Sequence, residues 1–264
     1  MRCRSRYSLV LFGILAASTI VTSQPAAASE LAYDGFSPSF PVVGNGGTGF
    51  SAAWAGSSGY FTPLASSLCY ARLPVSPGSI SASSASPVTG TFASRNLSQP
   101  LGTDNSTVYL SFLVQPRGPL STGVYEFFGL SLSGSLNTLF IGKPGMDATE
   151  QYVLETYGGA GQVPSGSPVV AEHTALLVVK AQFLPGNDVF TLYINPTPGR
   201  PEPSSGVVKS DLDLGLVSSL SVGGVVATSQ FTIDEIRIGT TYADVVPAAA
   251  NPFSNPADCA GEGF

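Results

Sequence analysis

Few side chains in this 264-residue sequence are equipped for chemistry. His173 is its sole imidazole, set between Glu172 and Thr174 ahead of an apolar run. No Gly-x-Ser-x-Gly elbow accompanies it, since Gly129-Leu130-Ser131-Leu132-Ser133 lacks the last glycine and reads as strand. The expectation for His173 is a solvent-exposed residue at the start of a strand. Asp211-Leu212-Asp213 is the only acidic i, i+2 pair, while Asp234 and Glu235 are adjacent, so strand alternation sends them to opposite faces. Neither pair reads as a catalytic dyad, and solvated edges with turn-capping roles are expected for both. Gly44-Asn45-Gly46-Gly47-Thr48-Gly49 fits G-x-G-x-x-G by letter. That fingerprint needs a helix to receive the pyrophosphate, and Phe50 to Gly59 offers none, so its glycines are expected to allow positive φ in a tight loop. Trp54, Tyr60 and Phe61 are the candidate carbohydrate-binding residues: sugar rings dock on large aromatics with amide and carboxylate help. The competing reading of that stretch is a buried lid over one sheet edge. Asp34, Asp104 or Asp188 could each lend calcium one ligand, but no compact ligand run appears, and no metal site or cofactor is expected.

The elements that would position these groups follow from composition. Charged residues make up 11% of the chain, with 30 Gly and 21 Pro, which excludes a helix-rich fold. A hydrophobic content of 43% equally excludes disorder. Arg2, Arg4 and Arg6 precede an apolar run from Tyr7 to Val21, and Ala26-Ala27-Ala28 offers a small-residue cleavage site, so residues 1–28 read as a signal peptide. The apolar run is shorter than the ~20 residues of a spanning helix, so no membrane association is expected after cleavage. Losing those three arginines takes the formal net charge from −6 to −9, which disfavours nucleic acid. Cys3 leaves with the signal; Cys69 and Cys259 then either form one bridge, worth about 4–5 kcal/mol on a chain-entropy account, or stay free.

Beyond Ser29 the pattern has period two, punctuated by turn residues. Strands are expected over Ser106–Val114, Val124–Leu132, Leu136–Ile141, Glu150–Thr156, Thr174–Phe183, Asp188–Ile194, Leu212–Val222 and Phe231–Ile238. Leu184-Pro185-Gly186-Asn187 supplies the turn of the clearest hairpin, and a helical turn fits only near Tyr242-Ala243-Asp244. Pro74 to Thr89 reads as surface strand and loop. The expected organisation is one domain, residues 29–246, followed by a flexible tail, 247–264.

Tyr33-Asp34-Gly35-Phe36, Gly46 to Ser51 with Trp54, Thr191 to Pro196 and the closing run from Phe231 to Val245 resemble exported bacterial proteins with a concanavalin A-like (LamG-like) jelly-roll, a group often carrying PEP-CTERM sorting signals. The resemblance implies an all-β jelly-roll sandwich of two antiparallel sheets, with first and last strands paired. After Val246-Pro247 no apolar span follows, so secretion, or residence in the periplasm or at the cell surface, is the expectation. Glucanases of this architecture carry Glu-x-Asp-x-x-Glu on a strand, which sets two carboxylates on one face; no such motif occurs here. The expected function is a non-catalytic domain for carbohydrate binding, of a polysaccharide or a cell-surface glycan, or for surface interaction. The alternatives are a structural exoprotein without ligand, or a glycoside hydrolase or lyase drawing on Glu126 or Glu155 with Asp213.

Overall fold

A computed structural model describes residues 29–37, 44, 46–56, 60–83, 90–120, 126–145, 150–226 and 230–249. The proposed signal segment and Cys259 lie outside the described residues. In chain order the strands are β1 (Glu30–Asp34), β2 (Ala55–Gly56), β3 (Phe61–Leu64), β4 (Ser79–Ser83), β5 (Thr91–Leu101), β6 (Thr107–Arg117), β7 (Glu126–Gly134) and β8 (Thr138–Lys143). They continue with β9 (Gln151–Thr156), β10 (Ala160–Pro168), β11 (Ala175–Gln182), β12 (Asp188–Ile194), β13 (Val207–Leu212), β14 (Val217–Val226) and β15 (Gln230–Gly239), and the short helix α1 (Tyr242–Val245) follows.

All strand pairs are antiparallel. One sheet runs β13-β12-β11-β6-β15-β4-β3, with β1 also on β15; the other runs β10-β9-β8-β7-β14-β5-β2. This is the all-β sandwich expected from the sequence. The first and last strands are paired, Tyr33 opposite Arg237.

The two sheets bury one shared core. The eight-stranded sheet gives it Leu110, Phe112, Leu177, Phe190 and Ile233, and the seven-stranded sheet gives Phe128, Leu130, Ile141, Leu154 and Val222. The outer faces differ. On the eight-stranded sheet a second apolar cluster, including Leu68, Leu73, Tyr109, Leu113, Leu176, Tyr193, Tyr242 and Val245, lies beneath residues 65–78 and α1. Strands β6 and β11 are therefore buried on both faces, which explains why β6 is apolar from Val108 to Val114 save for Ser111, and β11 from Ala175 to Val179. On the seven-stranded sheet β5 alternates buried and open positions, as a strand with one solvated face should. Thr241 caps α1, with Asp244 bonding back to the Thr241 backbone, and the Ser111 hydroxyl donates to Val245 O at 2.7 Å.

β15 contradicts simple alternation. Ile233, Ile236 and Ile238 all enter the core, because pairing with β6 shifts between Asp234 and Arg237 and Glu235 adopts φ 53°. The bulge turns Asp234 and Glu235 to the same outer side, where they are 0% and 1% exposed rather than solvated on opposite faces. There they hold residues 65–78. Asp234 accepts from the Ser67 hydroxyl at 2.6 Å and Leu68 N at 2.9 Å. Glu235 accepts from Ser76 N at 2.6 Å and the Tyr33 hydroxyl at 3.0 Å, and pairs with Arg237. Arg237 also donates to Pro74 O at 2.8 Å. Burial, with the Glu235 charge adding, raises the Asp234 carboxyl well above the usual carboxylate range.

The expected strand Leu212–Val222 divides into β13 and β14 around a turn in which Asp213 accepts from Gly215 N at 2.8 Å. Asp211 is exposed and pairs with Lys209 at 2.7 Å, so this acidic pair has the edge and turn roles expected of it. Replacing Asp234 by alanine orphans the Ser67 and Leu68 donors, each costing about 1–3 kcal/mol. Asp234→Ala is expected to lower the urea midpoint accordingly and make residues 65–78 the first site cut in limited proteolysis.

Candidate functional site

Trp54 is 6% exposed and Phe61 3%, while Tyr60 is half-buried. The Trp54 ring stacks on Phe36 at 5.7 Å, and its Nε1 donates to Asp34 Oδ2 at 2.8 Å. Asp34 also accepts from Phe36 N at 2.9 Å and pairs with Arg95 of β5, bridging the two sheets. Burial pulls the Asp34 carboxyl upward, and the bonds from Trp54, Phe36 and Arg95 pull it back. Trp54 and Phe61 thus belong to the core as the lid of the competing reading, with no ring face free for a sugar. Gly47 (φ 77°) and Gly49 (φ 79°) press against β1, where an added Cβ would sit 2.1 Å from Tyr33 O and 2.0 Å from Leu31 O. Gly47 and Gly49 therefore have the positive φ in a tight approach that was read from the sequence.

The carboxylates weighed for catalysis do not converge. Glu126 shares the core-side register of Phe128 on β7, Glu155 points outward from β9 beside Phe140, and Asp213 lies in a turn following the other sheet. His173 is exposed, with Nδ1 2.9 Å from Ala171 O, just before β11. Asp188 accepts from Leu184 N and Leu214 N, at 3.1 and 2.9 Å, fixing two turns. Among the described residues no three His, Cys, Asp or Glu side chains form a metal-ligand cluster. Cys69 is disulfide-bonded.

The arrangement best built to receive a ligand lies on the outer face of the seven-stranded sheet. Cross-strand register sets Phe92, Gly223, Gly129, Gly142 and Val153 in one row across β5, β14, β7, β8 and β9. The neighbouring row is Ser94, Ser221, Ser131, Phe140 and Glu155. The three central glycines are buried, and phenylalanine rings take the space above two of them: a Cβ on Gly223 would meet Phe92 Cδ1 at 2.6 Å, and one on Gly142 would meet Phe140 Cζ at 3.0 Å. A Cβ on Gly223, Gly129 or Gly142 would lie 2.2–2.3 Å from a carbonyl oxygen of the adjoining strand. Phe92, Phe127 and Phe140 pack over this floor with centroids 6.1 Å apart in each successive pair; Phe140 is 2% exposed, and Phe92 and Phe127 are half-buried.

At the far end of the floor, Phe127, Phe140, Glu155, Tyr157 and Gln162 line a cavity of about 550 Å³, within the usual range for small-ligand sites. Glu155 accepts from Gln162 Nε2 at 2.7 Å, and Tyr157 is 49% exposed at the β9–β10 turn. Sequence reasoning singled out Glu155 only as a catalytic alternative and missed its neighbours. The legible signals were Phe127 next to Phe128, one of which must face outward on a strand, and the Tyr157-Gly158-Gly159 turn.

The sequence matches no family model and no curated protein. Among solved structures the chain is similar to domain 4 of AbnA, an extracellular GH43 arabinanase from Geobacillus stearothermophilus, in complex with arabinotriose: 13% identity, 83% of this chain and 97% of that chain, TM-score 0.46. It is also similar to the T. cruzi calreticulin globular domain (8% identity, 73% and 86% covered, TM-score 0.44). A third is the Bauhinia forficata lectin in complex with GalNAc (12% identity, 69% and 92% covered, TM-score 0.43). At these identities the likeness is one of chain path only.

The glycine floor is sterically obligatory. Gly129→Ala places a Cβ 2.2 Å from Ile141 O and 2.8 Å from Gly142 Cα, forcing the β7–β8 pair apart. A loss of about 1–3 kcal/mol is expected, read from urea unfolding.

Proposed function

We propose that this chain is an exported carbohydrate-binding domain that lays a polysaccharide or cell-surface glycan along the outer face of the seven-stranded sheet. The observation that carries the reading is the cavity of about 550 Å³ at the β9–β10 turn, where Tyr157 stands half-exposed beside Gly158, Gly159 and the Glu155–Gln162 pair. The tyrosine ring meets the C–H groups of a sugar, the open backbone of Gly158 and Gly159 lets it approach closely, and a carboxylate held by an amide presents fixed hydrogen-bonding groups to vicinal hydroxyls. The open Ser and Asn positions beside the floor extend a polar, uncharged track suited to a chain longer than one sugar. Glu155 is the one carboxylate among the described residues lining the cavity, which favours holding a glycan over cleaving it. Export follows from the basic and apolar N-terminal segment, and in that compartment Cys69 would pair with Cys259 once Cys3 has been removed.

The test is a glycan array on the mature chain, residues 29–264, with reducing-sugar release measured alongside. Binding without release is expected, and Tyr157→Ala is expected to weaken it at least tenfold at an unchanged urea midpoint. Sugar release would assign a hydrolase instead, and array silence from folded protein would leave a structural exoprotein.

A further inference from the structure

The opposite face of the sandwich carries a second cleft. It opens on the outer side of the eight-stranded sheet, where the cover formed by residues 65–78 and α1 ends. Its volume is about 530 Å³. Thr107 and Tyr109 of β6 and Lys180 and Gln182 of β11 form the floor, in register as Lys180 opposite Tyr109 and Gln182 opposite Thr107. The walls are Arg200 to Glu202, from the β12–β13 connection, and Thr240 to Ala243 at the start of α1.

Glu202 organises the cleft. Its carboxylate accepts from the Tyr193 hydroxyl at 2.6 Å, the Tyr109 hydroxyl at 2.8 Å and Lys180 Nζ at 3.0 Å. Burial opposes ionisation, yet these bonds hold Glu202 below its ordinary range. Tyr242 wedges the tyrosines in place, edge-on to Tyr109 and Tyr193 with centroids 6.1 Å away. Lys180 is therefore a fixed cation, and Glu202 a fixed acceptor, at the base of an open depression.

Arg200 supplies what this network lacks. Most cations of the described residues are spoken for: Arg95, Arg117, Lys180, Lys209 and Arg237 have carboxylate partners, and Lys143 donates to Glu126 O and Pro144 O. Arg200 has no ion-pair or side-chain partner among the described residues and stands exposed on the wall of the cleft. Lys180 and Arg200 against Glu202 give the lining a net charge of +1 on a chain whose formal charge is −6. A locally positive cleft on an acidic chain concentrates anions.

We propose that this cleft is a saccharide site for an acidic sugar, a hexuronate unit. Its carboxylate would meet Arg200, whose planar fork matches a carboxylate, while Gln182, Glu202 and Lys180 would bond the ring hydroxyls. Pro201, exposed on the wall, forms the apolar side against which the ring would rest. The site shares no residue with the groove on the other sheet.

Isothermal titration of the mature chain at low salt tests this, with digalacturonic acid, cellobiose and inorganic phosphate as probes. Digalacturonic acid is expected to bind with 1:1 stoichiometry. Arg200→Ala should weaken it at least tenfold, Arg200→Lys less, and Tyr157→Ala in the other groove not at all. No heat from millimolar digalacturonic acid, an unchanged constant in Arg200→Ala, or phosphate or cellobiose binding as tightly would each overturn the proposal. Loss of binding in Tyr157→Ala but not Arg200→Ala would place the acidic sugar in the groove of the seven-stranded sheet and also overturn it. A urea midpoint for Arg200→Ala within error of the parent separates lost recognition from lost folding.

Discussion

β15 is the strand on which the rest of the molecule depends. It pairs with β6 along its length, with β4 over its first half and with β1 over its second, so it joins the chain's beginning to the centre of the eight-stranded sheet. Its bulge at Glu235 lets one strand serve two layers. Three isoleucines enter the core, while Asp234, Glu235 and Arg237 fasten residues 65–78 over the outer face. Those buried carboxylates are tolerable because each is hydrogen-bonded, and the same bonds make the cover specific to one position. Without that cover, the apolar outer side of β6 and β11 would face water.

This division of the two outer faces was written in the sequence more plainly than the sites were. The runs Leu110 to Val114, interrupted only by Ser111, and Leu176 to Val179 lack alternation because both of their faces are covered. In β14, Ser219 and Ser221 alternate with core residues because one face is open. The helical turn at Tyr242 and the pairing of the termini were equally readable, the second through the motif resemblance. The bulge was not. Asp234-Glu235 carries no local mark of a positive φ, and alternation therefore misplaced both carboxylates. β10 was missed for a related reason: its Pro, Gly and Ser residues carry no apolar period, and it forms a strand because β9 offers an edge to pair with.

The candidate binding residues show where a one-dimensional reading runs out. Trp54 stood out by residue type, yet its indole N–H has a buried partner in Asp34 and its ring fills a gap at the edge of the core. The groove, in contrast, is assembled by register. Gly223, Gly129 and Gly142 come from three strands and have no common spacing in the chain, so their alignment emerges only when the ladder is drawn. The second cleft is likewise a product of packing, bringing β6, β11, the β12–β13 connection and the start of α1 around Glu202.

The central claim is that a glycan seats in the cavity at the β9–β10 turn, beside Tyr157 and the Glu155–Gln162 pair. A crystal structure of the mature chain with an oligosaccharide taken from the array addresses it directly. The sugar is expected over Gly158 and Gly159, against Tyr157, with its hydroxyls on Glu155 and Gln162. An oligosaccharide seated instead at the Trp54 edge, with the Tyr157 cavity empty, would contradict it.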